Sequence, residues 1–158
     1  MNRYGWGVGA GSIFLGLGLG GFFDGIVLHQ ILQWHHMLSA IEPVDTVRGL
    51  EINTLGDGLF HLGTYIFTVV GLLLLWRRMH RQHQQVRTIN LIGGLLLGWG
   101  LFNLVEGLVD HHILQVHHVK PGANQLLWDI GFLLWGAVMA VAGAMLMWRR
   151  ADTSVEKA

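Results

Sequence analysis

Four long apolar runs alternate with three polar stretches along the chain, at roughly Val8–His36, Leu55–Trp76, Ile89–Val116 and Leu126–Trp148. Each reaches or exceeds the about 20 residues that a helix needs to cross a bilayer. The pattern predicts an all-α integral membrane four-helix bundle, a single transmembrane domain over residues 1–158 with a short disordered tail at 151–158. The first run follows Arg3 but continues without an Ala-x-Ala cleavage pattern, too long for a signal h-region, and so reads as the first membrane helix. Composition agrees: 52% of residues are hydrophobic and only 13% charged, well below the quarter typical of soluble domains.

Charge adds an orientation. The middle polar stretch carries Arg77, Arg78, Arg81 and Arg87, and Arg149, Arg150 and Lys157 follow the fourth run, whereas the other two loops hold only Arg48 and Lys120. By the positive-inside rule both termini and the middle loop are cytoplasmic, as in a multi-pass protein of a bacterial inner membrane, and the loops at 37–54 and 117–125 face outward. A formal net charge of zero argues against a nucleic-acid partner. The absence of cysteine excludes disulfides, thiolate ligands and thiol nucleophiles.

An internal repeat organises the runs. Asp24-Gly-Ile-Val-Leu-His29-Gln-Ile-Leu-Gln-Trp-His35-His36 aligns without a gap on Glu106-Gly-Leu-Val-Asp-His111-His-Ile-Leu-Gln-Val-His117-His118, 82 residues later. Asp57 pairs with Asp129, and Trp76-Arg77-Arg78 with Trp148-Arg149-Arg150, at an offset of 72. Two hairpins, about 8–78 and 89–150, therefore start on the same side of the membrane, and a pseudo-twofold axis along its normal is expected. Small-x-x-x-small spacings at Gly16/Gly20, Gly21/Gly25 and Gly94/Gly98 predict close helix packing, within the chain or across a homodimer.

The chemistry lies in one half of the span. Asp24 and Glu106 fall near mid-helix, Asp57 and Asp129 one turn inside the second and fourth runs, and Asp110 adds a fifth acid. Each costs about 2.5–3.5 kcal/mol at a helix centre, with no Lys or Arg at comparable depth. A rise of about 1.5 Å per residue brings His29, His61, His111, Asp57 and Asp129 to one height, the expected first ligands of a metal. Asp24, Glu106, Asp110, His36, His112 and His118 are the supporting or alternative ligands.

Imidazole with carboxylate suits iron, copper, zinc or manganese, and a cation would offset the buried negative charge. Helical spacing leaves two stripes open, His29/Gln33/His36 and Asp24/Ile31/His35, unless a distorted turn at Gly25 and Gly107 brings them together. The site should be asymmetric, because His61 has Leu133 as its counterpart. His35, His36, His117 and His118 read equally as interfacial histidines capping helix ends, Trp34, Trp76 and Trp148 as an aromatic belt, and His80 and His83 as loop residues.

The run from Gly21 to Met37, with Glu106-Gly and His111–His118, resembles a bacterial family of predicted four-helix membrane proteins, domain of unknown function 2243. The resemblance covers nearly the whole chain and implies proximity to respiratory and copper-handling proteins, which favours copper over iron or zinc. Asp57-x-x-x-His61 also resembles part of the copper site of membrane methane and ammonia monooxygenases, although the further histidine of that pattern is missing from the second run. The expected function is a membrane metalloprotein, either a metal-dependent oxidoreductase or a copper-handling factor. The alternatives are a haem b carrier ligated by His29 and His111, or a proton or cation pathway.

Overall fold

The computed structural model describes residues 6–81 and 87–152. Its elements are α1 (Trp6–Phe23), α2 (Val47–Arg81), α3 (Thr88–Glu106) and α4 (Gln125–Asp152), with no strand among the described residues. A π-helical segment, Asp24–Ile31, continues α1, and a second, Gly107–Ile113, continues α3. Four helices are long and apolar enough to cross a membrane, over Gly9–Ile31, Val47–His80, Thr88–Ile113 and Gln125–Met147.

α1 and α3 pack on each other, α2 covers α1 and α4 covers α3. Half of the α1 span is buried, against 17% of the α2 and α4 spans, whose Leu62, Ile66, Leu73, Leu134 and Val138 project outward as a lipid-facing surface would. Glycine sets the separations. A Cβ at Gly16 would land on the Leu95 carbonyl, and one at Gly98 on the Ile13 carbonyl, so α1 and α3 touch backbone to backbone. Gly71 lies 2.9 Å from the Gly11 carbonyl by the same measure, and Gly143 lies 2.5 Å from that of Gly93. Positions related by the offsets of 82 and 72 thus make corresponding contacts. Gly20, Gly21, Gly25 and Gly94 likewise face Trp99, Thr64, His61 and Ser12, so the glycines read as a homodimer face meet partners within the chain.

The helix ends depart from the expected bounds. α2 begins at Val47 rather than Leu55, because Thr46 Oγ1 accepts the Gly49 N–H at 3.0 Å and caps the extra turns. At 35 residues it is about 50 Å long, so its first turns extend past the roughly 30 Å of a hydrocarbon core. There Asn53 accepts the Leu38 N–H at 2.9 Å and donates to the Glu42 and Gly49 carbonyls, pinning loop 32–46 to the helix. His80 lies on the last turns of α2 rather than in a loop, while His83 falls outside the described residues. α4 runs through Asp152, so the tail expected from 151 starts helical, and the rest of it lies outside the described residues.

The first and third runs stop being helical before His35 and His117. Gln33 and Gln115 adopt φ of 48° and 51°, a left-handed break that turns each chain back toward the bundle. Beyond the breaks Trp34 packs on Trp128 at 5.1 Å, and the Lys120 ammonium stands 4.6 Å from the Trp34 ring centroid.

Gly16→Leu should lower the unfolding free energy in detergent by about 1–3 kcal/mol through overpacking of α1 on α3. Gly58, with nothing within 4 Å of a built Cβ, should accept alanine at or slightly above wild-type stability. Equal effects at the two positions, read in denaturant titrations, would contradict the backbone contact.

Candidate metal centre

The site is built where the two α-helices widen. In each π segment the ladder closes five or six residues back: Leu32 N–H to Val27 O at 2.8 Å and Trp34 N–H to Leu28 O at 3.0 Å, then Leu114 to Val109 at 2.7 Å and Val116 to Asp110 at 3.0 Å. Such π turns are rare and cluster at functional sites. Here residues five apart stack one turn above another, bringing His29 over Asp24 and His111 over Glu106. Gly25 makes the widening possible on one side, since a Cβ there would stand 2.6 Å from His61 Nε2.

The outer edge of three of the four inward imidazoles is held by a hydrogen bond, and His111 is the exception. His29 Nδ1–H donates to Asp57 Oδ1 at 2.8 Å. His35 Nδ1–H donates to the Val119 carbonyl at 2.8 Å, and His117 Nδ1–H donates to the Met37 carbonyl at 3.1 Å. These last two bonds are reciprocal, each histidine being tied by the loop of the other half. Asp57 also accepts from His36 Nδ1 at 2.7 Å, the Met37 N–H at 2.8 Å and Gln30 Nε2 at 3.1 Å. Asp129 accepts from His118 Nδ1 at 2.8 Å and the Val119 N–H at 3.0 Å, while His111 Nδ1 stands farther off, at 3.8 Å. A proton fixed on Nδ1 leaves Nε2 as a lone pair, the arrangement by which second-shell partners orient histidine ligands.

Those lone pairs converge. Nε2 of His29, His35, His111 and His117 and both carboxylate oxygens of Asp24 and of Glu106 are buried without a hydrogen-bond partner. His29 and His117 are fully buried, and Glu106, the most accessible of the six residues, is 5% exposed. Three groups, His29/His35/His117, Glu106/His111/His117 and Asp24/His29/Glu106, each bring their ligand atoms within 4.8 Å of one another. His29 Nε2 lies 3.0 Å from Asp24 Oδ2 and His117 Nε2 3.4 Å from Glu106 Oε1.

With Nδ1 protonated and Nε2 bare, each contact sets lone pair against carboxylate, a repulsion that a proton or a metal cation between them removes. Ligand atoms around one ion with bonds of 2.0–2.2 Å stand about 3 Å apart, so these spacings fit a metal. No Lys or Arg pairs with the four buried acids among the described residues; every ion-pair partner is a histidine. Burial holds the imidazole of His117, in the loop past the third span, well below the ordinary histidine range, and neighbouring His35 and His111 reinforce the shift. It is therefore neutral and able to ligate.

The rings pack as a quartet. His35 and His117 stack at 4.7 Å, His29 meets His35 edge-on at 4.4 Å and His111 meets His117 edge-on at 4.9 Å. Phe60 covers His29 at 5.5 Å, and Phe132, 72 residues on, covers His111 at 5.3 Å.

Of the residues expected to ligate, the structure brings His29, His111, Asp24 and Glu106 together, two of them from the supporting set. Asp57, Asp129, His36 and His118 stand behind them as an outer layer. His61 sits to one side, its Nδ1–H on the Asp57 carbonyl at 2.7 Å and its ring beside Phe22 and Phe60. His112 donates to the Gly107 carbonyl at 2.8 Å, and Asp110 is half-buried on the same segment; neither belongs to the three groups. The site gains His35 and His117, which a uniform helix would carry to the rim. The shared stripe of Asp24 and His35 and the glycines at 25 and 107 were the available signals. A cavity of about 660 Å³ at the loop end is lined by Gln33, Trp34, His36, Asp45 and His118 and reaches His35 of the cluster.

The sequence profile of the family described as predicted membrane protein (DUF2243) matches residues 11–150, and the chain belongs to that family. No curated protein and no solved structure matches it.

Asp57→Ala would strip the acceptor from His29, His36 and the Met37 amide together. A loss of about 3–5 kcal/mol is expected, against little change for Asp45→Ala in the exposed loop. Comparable stabilities for the two variants would remove Asp57 from its supporting role.

Proposed function

We propose that this DUF2243 family member is a membrane metalloprotein with a resident transition-metal centre held by His29, His35, His111, His117, Asp24 and Glu106. The observation that carries the reading is the gathering of buried, unpartnered imidazole nitrogens and carboxylate oxygens into three overlapping groups. An empty cluster of this kind would cost the full desolvation of each unpaired group, and a cation offsets that cost.

Nitrogen and oxygen donors without sulfur suit iron, manganese, zinc or copper(II) better than copper(I). That moves the balance from copper alone to the group. Burial favours a resident ion over delivery: a transfer site must open to a partner, and these ligands are 0–5% exposed. The activity class we favour is therefore a metal-dependent oxidoreductase acting on a small polar molecule that enters through the cavity touching His35. In that scheme the metal supplies the redox or Lewis-acid chemistry, and the chain fixes tautomers and excludes bulk water. The haem b alternative is disfavoured by space, since the rings of His35 and His117 stand 4.4–6.2 Å from those of His29 and His111, its two ligands, where a porphyrin would need room. A proton pathway needs titratable groups across the span. Among the described residues, the buried polar positions toward the other end are Asn103, Thr64, Ser12 and Arg78.

The two hairpins are in this reading halves related by a pseudo-twofold axis along the membrane normal, supported by the reciprocal bonds of His35 with Val119 and His117 with Met37. The arginines at the opposite end support a centre in the outer half of a bacterial inner membrane, with both termini cytoplasmic.

Elemental analysis of protein purified in mild detergent without a histidine tag tests the reading. Near-stoichiometric metal is expected in wild type, lost in His35→Ala and His117→Ala and kept in His61→Ala and His112→Ala. Wild-type protein that carries no metal and takes up none from solutions of copper(II), iron(II), manganese(II) or zinc(II) would overturn it.

A further inference from the structure

The number of donors exceeds what one ion can use. Eight buried atoms face the cluster without partners: Nε2 of His29, His35, His111 and His117, and both oxygens of Asp24 and of Glu106. A tetrahedral ion takes four and an octahedral ion six. Either would leave buried lone pairs unsatisfied. Two ions with four donors each would use all eight.

The grouping of the ligands also points to a pair. The three sets within 4.8 Å of one another overlap, sharing His29, His117 and Glu106, so positions centred on them are neighbours rather than separate sites. Asp24 from the first half and Glu106 from the second fall in one of these sets, together with His29. A carboxylate whose two oxygens are both free can bind a different ion with each, and here both carboxylates meet that condition.

Resting on the metalloprotein reading, we infer that the centre is dinuclear, two divalent cations bridged by the carboxylates of Asp24 and Glu106 with two imidazoles on each ion. Zinc(II) is the probe, because it accepts four nitrogen and oxygen donors and undergoes no redox change. Metal-stripped full-length protein in mild detergent is titrated with zinc(II), and the loaded sample is examined by zinc-edge X-ray absorption. Saturation at two equivalents per chain is expected, with metal–metal scattering at about 3.5–4 Å. Glu106→Gln should fall to one equivalent or fewer and lose that scattering. If this variant does not fold, the wild-type scattering still decides. Saturation at one equivalent, or two without metal–metal scattering, would overturn the dinuclear centre while leaving the metalloprotein intact. No uptake at all would overturn both.

Discussion

Everything in this bundle is arranged around the difficulty of burying carboxylates that have no lysine or arginine partner among the described residues. Asp24 and Glu106 face each other's half across the α1–α3 contact, and the Nε2 atoms of four histidines lie buried beside them. Where Nε2 is unprotonated, acceptor faces acceptor across these contacts. A proton or a bound cation between the facing atoms relieves that crowding, and the metal centre proposed above is the second of these. The glycine contacts serve the same end by holding α1 and α3 close enough for the ligands of both halves to meet.

Rigidity comes from the layer behind. Asp57 gathers two imidazoles, a backbone amide and the Gln30 amide, so one side chain fixes His29, the return of the loop and the position of His36. Asp129 performs the corresponding task with His118 and the Val119 amide but stands 3.8 Å from His111, so the second half holds its histidine less firmly. Asp24 likewise closes to 3.0 Å on His29, whereas Glu106, one methylene longer, approaches His117 more nearly than His111. The two ends of the cluster are therefore chemically distinct despite their common plan.

The spans, their number and the clustering of acids with histidines were legible in the sequence, because hydropathy and burial cost act residue by residue. The ligand set was legible only in part. Helical phase at 100° per residue separates His29 from Asp24 and sends His35 to the membrane rim, and both statements fail at the same place. The π segment after Phe23 shifts the phase, and the left-handed break at Gln33 folds the next residues inward. Gly25 and Gly107 signal a possible distortion, but the size of the turn depends on what packs against it, here His61 on one side and Leu133 on the other. The early start of α2 was hidden for a different reason: its first turns lie beyond the apolar stretch and are specified by Thr46 and Asn53 rather than by hydrophobicity.

The crossed ties of His35 to Val119 and of His117 to Met37 also bear on biosynthesis. Neither hairpin can hold its own second histidine. When the first has left the ribosome, His35 lacks the carbonyl that will orient it, and Asp24 sits in lipid with only half of its surroundings. The centre closes only after residue 119 has been translated and α3 has seated against α1, so the site forms late in the synthesis of the chain. The same reciprocity, in which one element holds its equivalent and is held by it, is how isologous dimers are built.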